Sequence, residues 1–271
     1  MPLILMLLLA LPVFADTTVF QWQDDHGNQH YSDRTHPDAQ PLTIKSGYGF
    51  SAVKTVYDGD TLVLDDGRKV RLLGINTPEV QHHNQSGEAG GEEAKQWLIN
   101  ALKHTTVRLE IGNEKTDKYG RTLAHVFTEQ KVHINLQLVA AGLAAVSIYP
   151  TNLLYVNELL AAQERAERAG LGIWKQPAYQ PIKAAELDKT ADVPHQWLRI
   201  RGQVSSIHYT KKYVYLAFTD HFDARIERDW LYLFPDLNTY LNKHLEVRGW
   251  LNQYKNHRSM LIRHPSAIKW L

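Results

Sequence analysis

The sequence predicts a mainly β protein with a few helices, an α+β chain of more than one domain. Apolar side chains alternate in short runs separated by Asp-Gly and other glycine turns, while three segments repeat at helical spacing. At 271 residues, with 44% hydrophobic and 22% charged side chains, the chain is long enough for two cores and is of ordinary globular composition. It has no cysteine, which excludes disulfides and thiolate metal sites.

The first fifteen residues, Met1 to Ala15, form an apolar run too short to span a bilayer, with small side chains at Val13 and Ala15. They read as a signal peptide, so the mature chain is expected in the periplasm or outside the cell, with no stable membrane span. No basic residue leads the run; either the amino terminus supplies that charge or the true start lies upstream.

Residues 16–45 follow as a small domain and linker. Val19 to Gln23 and Gln29 to Ser32 flank a polar turn, a hairpin pattern. Its Trp22, Asp24, Gly27, Tyr31 and Asp33 resemble a domain of unknown function that often follows bacterial signal peptides. Arg34 to Ser46, with Pro37 and Pro41, reads as linker.

Residues 46–174 alternate as strands over Phe50 to Val56, Leu62 to Leu64 and Val70 to Ile75, with Asp66-Gly67 turning the second pair. Ala94, Trp97, Leu98, Ala101 and Leu102 predict a helix, Val107, Leu109 and Ile111 a strand, and Ile134–Ala141 and Leu153–Ala169 two more helices. Residues 175–194 read as a second linker. Residues 195–271 hold short strands at Leu198 to Val204, Tyr213 to Phe218, Leu245 to Leu251 and Met260 to Ile262.

Three strings in fixed order carry the chemistry: Asp58-Gly59-Asp60-Thr61, then Arg71-Leu72-Leu73-Gly74-Ile75-Asn76-Thr77-Pro78-Glu79, then Thr116-Asp117-Lys118-Tyr119-Gly120-Arg121. Cleaving a phosphodiester requires stabilising an anionic transition state, activating a water, and usually placing a hard cation on a phosphate oxygen. Two arginines can supply bidentate donors, a glutamate can take a proton, and acidic or amide oxygens can ligate a cation.

With these strings and the closing Gly172-Ile173-Trp174, residues Gly49 to Trp174 resemble the staphylococcal nuclease (thermonuclease) family. The resemblance implies an OB-type five-stranded barrel with helices packed beside it. It also implies a Ca²⁺ site in which Asp60 and Asn76 give side-chain oxygens and Thr77 its carbonyl, with Asp58 behind Asp60. Glu79 would activate water, and Arg71 and Arg121 would grip the phosphate. Lys118 and Tyr119 would touch a terminal phosphate or a base. Tyr149 is either a stacking platform or a core residue. The family usually has aspartate where this chain has Asn76, so weaker Ca²⁺ binding or an altered metal preference is expected.

Residues 195–271 resemble the OB-like nucleic-acid-binding domains that accompany bacterial nucleases and helicases, which predicts a second small β-barrel. Lys211, Lys212 and Tyr213 interleave basic and aromatic groups as single-strand binders do, or simply form a hairpin turn. Charge divides along the chain: two basic against five acidic residues in 16–45, thirteen against fifteen in 46–174, and fifteen against nine in 175–271. The basic tail can supply the long-range attraction for DNA or RNA that the acidic nuclease-like part lacks. His82-His83 suggests either a soft-metal site or a solvated loop.

The expected function is therefore an exported nuclease of low sequence specificity. One rival is a nucleic-acid-binding protein of the envelope that has lost a usable metal site. Another is an envelope interaction protein in which the barrel is a spacer.

Overall fold

A computed structural model describes residues 19–24, 26–42, 49–81, 86–189 and 196–271. The apolar leader, the His82-His83 pair and residues 190–195 of the second expected linker lie outside them. The chain divides into two units, Met1–Gly49 and Phe50–Leu271.

In the first unit, β1 (Val19–Gln23), β2 (Gln29–Ser32) and β3 (Gln40–Leu42) pair antiparallel in the order β2-β1-β3. The Asp24 carboxylate closes the hairpin turn, accepting from the His26 and Asn28 backbone N–H groups at 2.9 Å each. Trp22 stacks between His30 and His36. The stretch that reads as linker thus contributes a third strand: Pro41 is tolerated because β3 is an edge strand.

The second unit begins with β4 (Ser51–Asp58), β5 (Thr61–Leu64), β6 (Lys69–Leu72) and the short β7 (Ile75–Asn76). The first three, with β8 (Thr106–Thr116) and β9 (Thr122–Thr128), build a closed five-stranded barrel in the order β4-β5-β6-β9-β8, in which β6 and β9 run parallel. Leu62, Leu64, Val70 and Leu72 fill its interior, as the period of two requires. Three helices cover it: α1 (Gly91–Ala101), α2 (Ile134–Ala140) and α3 (Val156–Arg168). Each turns its apolar stripe inward, α1 through Ala94 and Leu98, four residues apart. Strand β10 (Ala145–Val146) pairs with β7, and Gln163 of α3 accepts from the Val146 N–H at 2.7 Å.

Residues 175–189, which read as linker, are instead packed. They form one-turn helices and β11 (Ile182–Lys183), with Tyr179, Ala184 and Leu187 buried. The cause is aromatic: Trp174 packs edge to face against Tyr179 and Trp197, which tilt against each other, in a cluster with Ile173 and Ala166.

The remaining strands are β12 (Trp197–Gln203), β13 (Ser206–Tyr209), β14 (Tyr213–Thr219), β15 (Phe222–Glu227), β16 (His244–Tyr254), β17 (His257–Ile262) and β18 (Ile268–Trp270). They form one eight-stranded sheet in the order β11-β12-β16-β17-β15-β14-β13, with β18 also on β16, rather than a ring of five. The difference lies at Val204-Ser205, where the chain leaves β16 for β14: Val204 N–H donates to Lys243 and Ser205 N–H to Ala217. Counting β12 and β13 as one bent strand, the pairing order repeats that of the barrel, including a parallel β15–β17 pair.

Charged groups join this sheet to α3. Glu246 is wholly buried between Arg199 Nε (2.8 Å), Arg201 Nε (2.7 Å) and Arg248 Nη2 (2.8 Å). Glu167 of α3 receives Arg248 Nη2 at 3.0 Å and Arg199 Nη2 at 3.5 Å. Burial alone would raise the Glu246 pKa, but the arginines hold it down at about 2.

Candidate active site

The site starts at the turn from β4 to β5. The Asp58 carboxylate accepts from Asp60 N–H at 2.9 Å, a local bond that aspartate forms readily in turns. Glycine is required between them: a Cβ on Gly59 would lie 2.6 Å from the Ala94 side chain and 2.7 Å from that of Thr77. The turn therefore seats itself under α1 and the Thr77 segment.

Asp60 is left 5% exposed. Its Oδ2 accepts from Thr77 N–H and Arg71 Nη2, both at 2.9 Å, and its Oδ1 from the Thr61 hydroxyl at 3.2 Å. Burial pushes its pKa up to about 6 even against the Arg71 charge, with Asp58 adding to the rise. The carboxylate is thus short of positive compensation.

Arg71 projects from β6. Its Nη1 donates to the carbonyls of Leu72 (2.8 Å) and Ile75 (3.1 Å), and its Nη2 also to Asn76 Oδ1 (3.2 Å). Asn76 is fixed by the β7–β10 pair, opposite Ala145, and its amide N–H donates to the Thr77 carbonyl at 3.1 Å.

Arg121 is positioned by its own turn. The Asp117 carboxylate accepts from Tyr119 N–H (2.9 Å), Arg121 N–H (3.0 Å) and Arg121 Nε (2.7 Å). Burial would raise the Asp117 pKa, yet these bonds leave it below the usual carboxylate value. Arg121 Nη1 reaches Thr61 Oγ1 at 3.4 Å, so the Thr61 hydroxyl links the second arginine to the Asp60–Arg71 pair.

Both arginines line one open cavity of about 340 Å³, and Lys118, Tyr119 and Tyr149 line it with them. Tyr119 is 70% exposed, its ring flanked by Lys118 and Arg121. Glu79 is half-buried and is not among the described lining residues. Its backbone is pinned by Glu88 through bonds of 3.1 and 2.8 Å. Lys211, Lys212 and Tyr213 do not line this cavity; they lie at the β13–β14 turn, Lys212 over the Tyr213 ring at 5.2 Å.

Three contributors escape a reading by motif. Thr61 and Asp117 lie inside the quoted strings, and the Asp117 turn has the Asx pattern of an aspartate capping the N–H two residues on. Asn135, wholly buried at the start of α2, bonds the Leu73 carbonyl at 2.9 Å and Val126 N–H at 3.0 Å, which secures the chain just past Arg71. A lone asparagine in a helical stretch gives no signal of this.

Asp60 Oδ2 and Asn76 Oδ1 both face Arg71 Nη2, and the Thr77 carbonyl accepts from the Asn76 amide; oxygens of these types suit a hard cation. Among the described residues no three His, Cys, Asp or Glu side chains group as a metal site, so a cation here would rely on the two neutral oxygens beside Asp60. The buried, under-compensated Asp60 carboxylate fits such a role.

Residues 69–176 match the family described as staphylococcal nuclease homologue, and residues 6–47 match a domain of unknown function, DUF4124. A thermonuclease of Staphylococcus intermedius is 40% identical over 126 residues, covering 45% of this chain and 74% of that protein. One from Staphylococcus hyicus is 35% identical over 122 residues, covering 44% and 72%. The endonuclease YncB of Bacillus subtilis is 29% identical over 171 residues, covering 58% and 81%.

Proposed function

Because the chain belongs to the staphylococcal nuclease family, we propose that it is a Ca²⁺-dependent nuclease hydrolysing phosphodiesters of DNA and RNA with little sequence preference. The observation that carries this is the pair of arginines, linked through Asp60 and Thr61, on the wall of one open cavity. The groups present address phosphate and sugar rather than base edges, hence the low specificity.

Arg71 and Arg121 bind the scissile phosphate from two sides and strengthen their hold as charge builds on its oxygens. Their planar donors suit this better than a lysine's point charge. Glu79 takes the proton of the attacking water, and the 5′-oxygen departs, leaving a 3′-phosphate. Asp60, Asn76 and Thr77 would hold the cation, which would supply neutralisation of charge on a phosphate oxygen. Tyr119, Lys118 and Tyr149 position the adjoining nucleotide.

The apolar leader supports export to the periplasm or beyond. The strand order of residues 195–271 supports an OB-like nucleic-acid-binding role for that region, whose basic excess offsets the acidic barrel.

The neutral Asn76, whose amide already engages Thr77, favours one rival: a binding protein without catalysis. Cleavage of a labelled single-stranded oligonucleotide in Ca²⁺, Mg²⁺, Mn²⁺ or EDTA, beside Glu79→Gln, decides between them. Metal-dependent cutting that the variant loses supports the nuclease; tight binding with no cutting under any metal overturns it.

A further inference from the structure

A second cleft, of about 530 Å³, adjoins the first and shares Lys118, Tyr119 and Tyr149 with it. Its far wall belongs to the second sheet and carries Arg225, Arg263 and Trp250. The Arg263 guanidinium lies 4.7 Å from the Tyr149 ring centroid. Arg225 stacks on Tyr213 at 5.2 Å, and its Nε is buried with no hydrogen-bond partner among the described residues.

This wall continues onto the outer face of the sheet. Val214, Leu216, Ile226 and Ile262 are wholly buried on the inner side, so the residues that alternate with them along each strand point outward. Tyr215 stands opposite both Arg225 and His208, and Tyr213 lies 6.0 Å from Tyr215, which makes a stripe of alternating rings and cations. Of the acids on this face, Glu227 is engaged by Tyr213 and Trp230, and Asp223 by His257 through Oδ2, while its buried Oδ1 has no hydrogen-bond partner among the described residues.

We infer that one unpaired polynucleotide strand runs from the active cavity over Tyr119 and Tyr149 into this cleft. There Arg263 and Arg225 hold its phosphates, and Tyr215 and Tyr213 stack its bases. The inference deepens the nuclease reading and rests on it: the substrate is single-stranded, and the enzyme grips it well beyond the scissile bond. Rings and guanidinium planes stack any exposed base, whereas a duplex presents no free base faces.

The test uses the full mature chain and its Arg225→Ala/Arg263→Ala variant. Anisotropy of a fluorescein-labelled thymidine strand of about 20 nucleotides, in EDTA, is followed against salt. The wild type should bind about tenfold or more tightly than the variant, and the slope of log affinity on log salt should fall by about 1.4, or 0.7 for each lost phosphate contact on a single strand. In cleavage, the advantage of the 20-mer over a trinucleotide in kcat/KM should shrink. Tyr215→Leu, which keeps every charge, should weaken binding with the salt slope unchanged. Equal affinity, slope and length dependence in wild type and variants would overturn the inference even if the protein cuts well. Binding lost in the variants of a protein that cuts under no metal would instead remove the nuclease reading and leave the track standing.

Discussion

Glu246→Gln should destabilise the second unit by about 3 kcal/mol, because Gln keeps the shape but leaves three arginines facing a neutral amide. In the wild type Glu246 is wholly buried, and its carboxylate pKa is held at about 2 against an ordinary 4.5. That difference corresponds to about 3 kcal/mol at ~1.4 kcal/mol per pKa unit. Breaking buried ion pairs by removing one partner costs a similar amount, about 3–5 kcal/mol. For a unit of this size the melting point should drop by roughly 6 to 12 °C. The pH dependence provides the sharper check. A folded pKa below the unfolded one means the contribution is full above pH 4.5 and disappears as pH falls towards 2. Urea unfolding of both proteins between pH 7 and pH 2.5 should therefore show curves about 3 kcal/mol apart at neutrality that converge in acid. A gap under 1 kcal/mol at pH 7, or one that stays constant into acid, would refute the account of the Arg199–Glu246–Arg248 cluster.

His125 and His133 are buried with Nδ1 and Nε2 3.1 Å apart, and burial lowers both pKa values to about 4. Stability should be full above pH 6.5 and fall by roughly 3 kcal/mol for each histidine as pH drops towards 4; His125→Gln should remove about half of that limb of the urea series. Asp117→Asn retains an acceptor for the two backbone N–H groups but not the charge that orients Arg121 Nε, so kcat should fall about 10²-fold with an unchanged circular dichroism spectrum. Gly59→Ala places a methyl 2.6 Å from the Ala94 side chain and should cost about 1–3 kcal/mol in denaturant unfolding. Asn76→Asp adds an anionic oxygen beside Asp60, and calorimetric titration should show Ca²⁺ binding at least ~10-fold tighter.

The barrel and the turns that carry Asp60 and Arg121 were legible because their signals are local. Asp58 and Asp117 each cap backbone within four residues, and the alternation of Leu62, Leu64, Val70 and Leu72 alone marks an interior. Strand β15 shows why the second region was harder to read. Phe222, Ala224 and Ile226 alternate inward as cleanly as any run, but Asp223, Arg225 and Glu227 between them make the segment look like a polar turn. The prolines after residue 175 mark the stretch as a linker. They could not say that residues 175–189 would be packed, because that depends on Trp174 and Tyr179 finding Trp197.

Least legible was the joint between α3 and the second sheet. Arg199 and Arg248 each sit in a strand where a cation normally marks the solvent face, and nothing nearby in sequence contradicts that. Arg248 is buried because Glu167, 81 positions away, comes to meet it. Side chains so placed are recognisable only once the apolar neighbours on both sides have fixed the two backbones. The same sheet brings Arg225 and Arg263 to the second cleft, which shares Lys118, Tyr119 and Tyr149 with the first cavity, so that wall depends on contacts no short motif records.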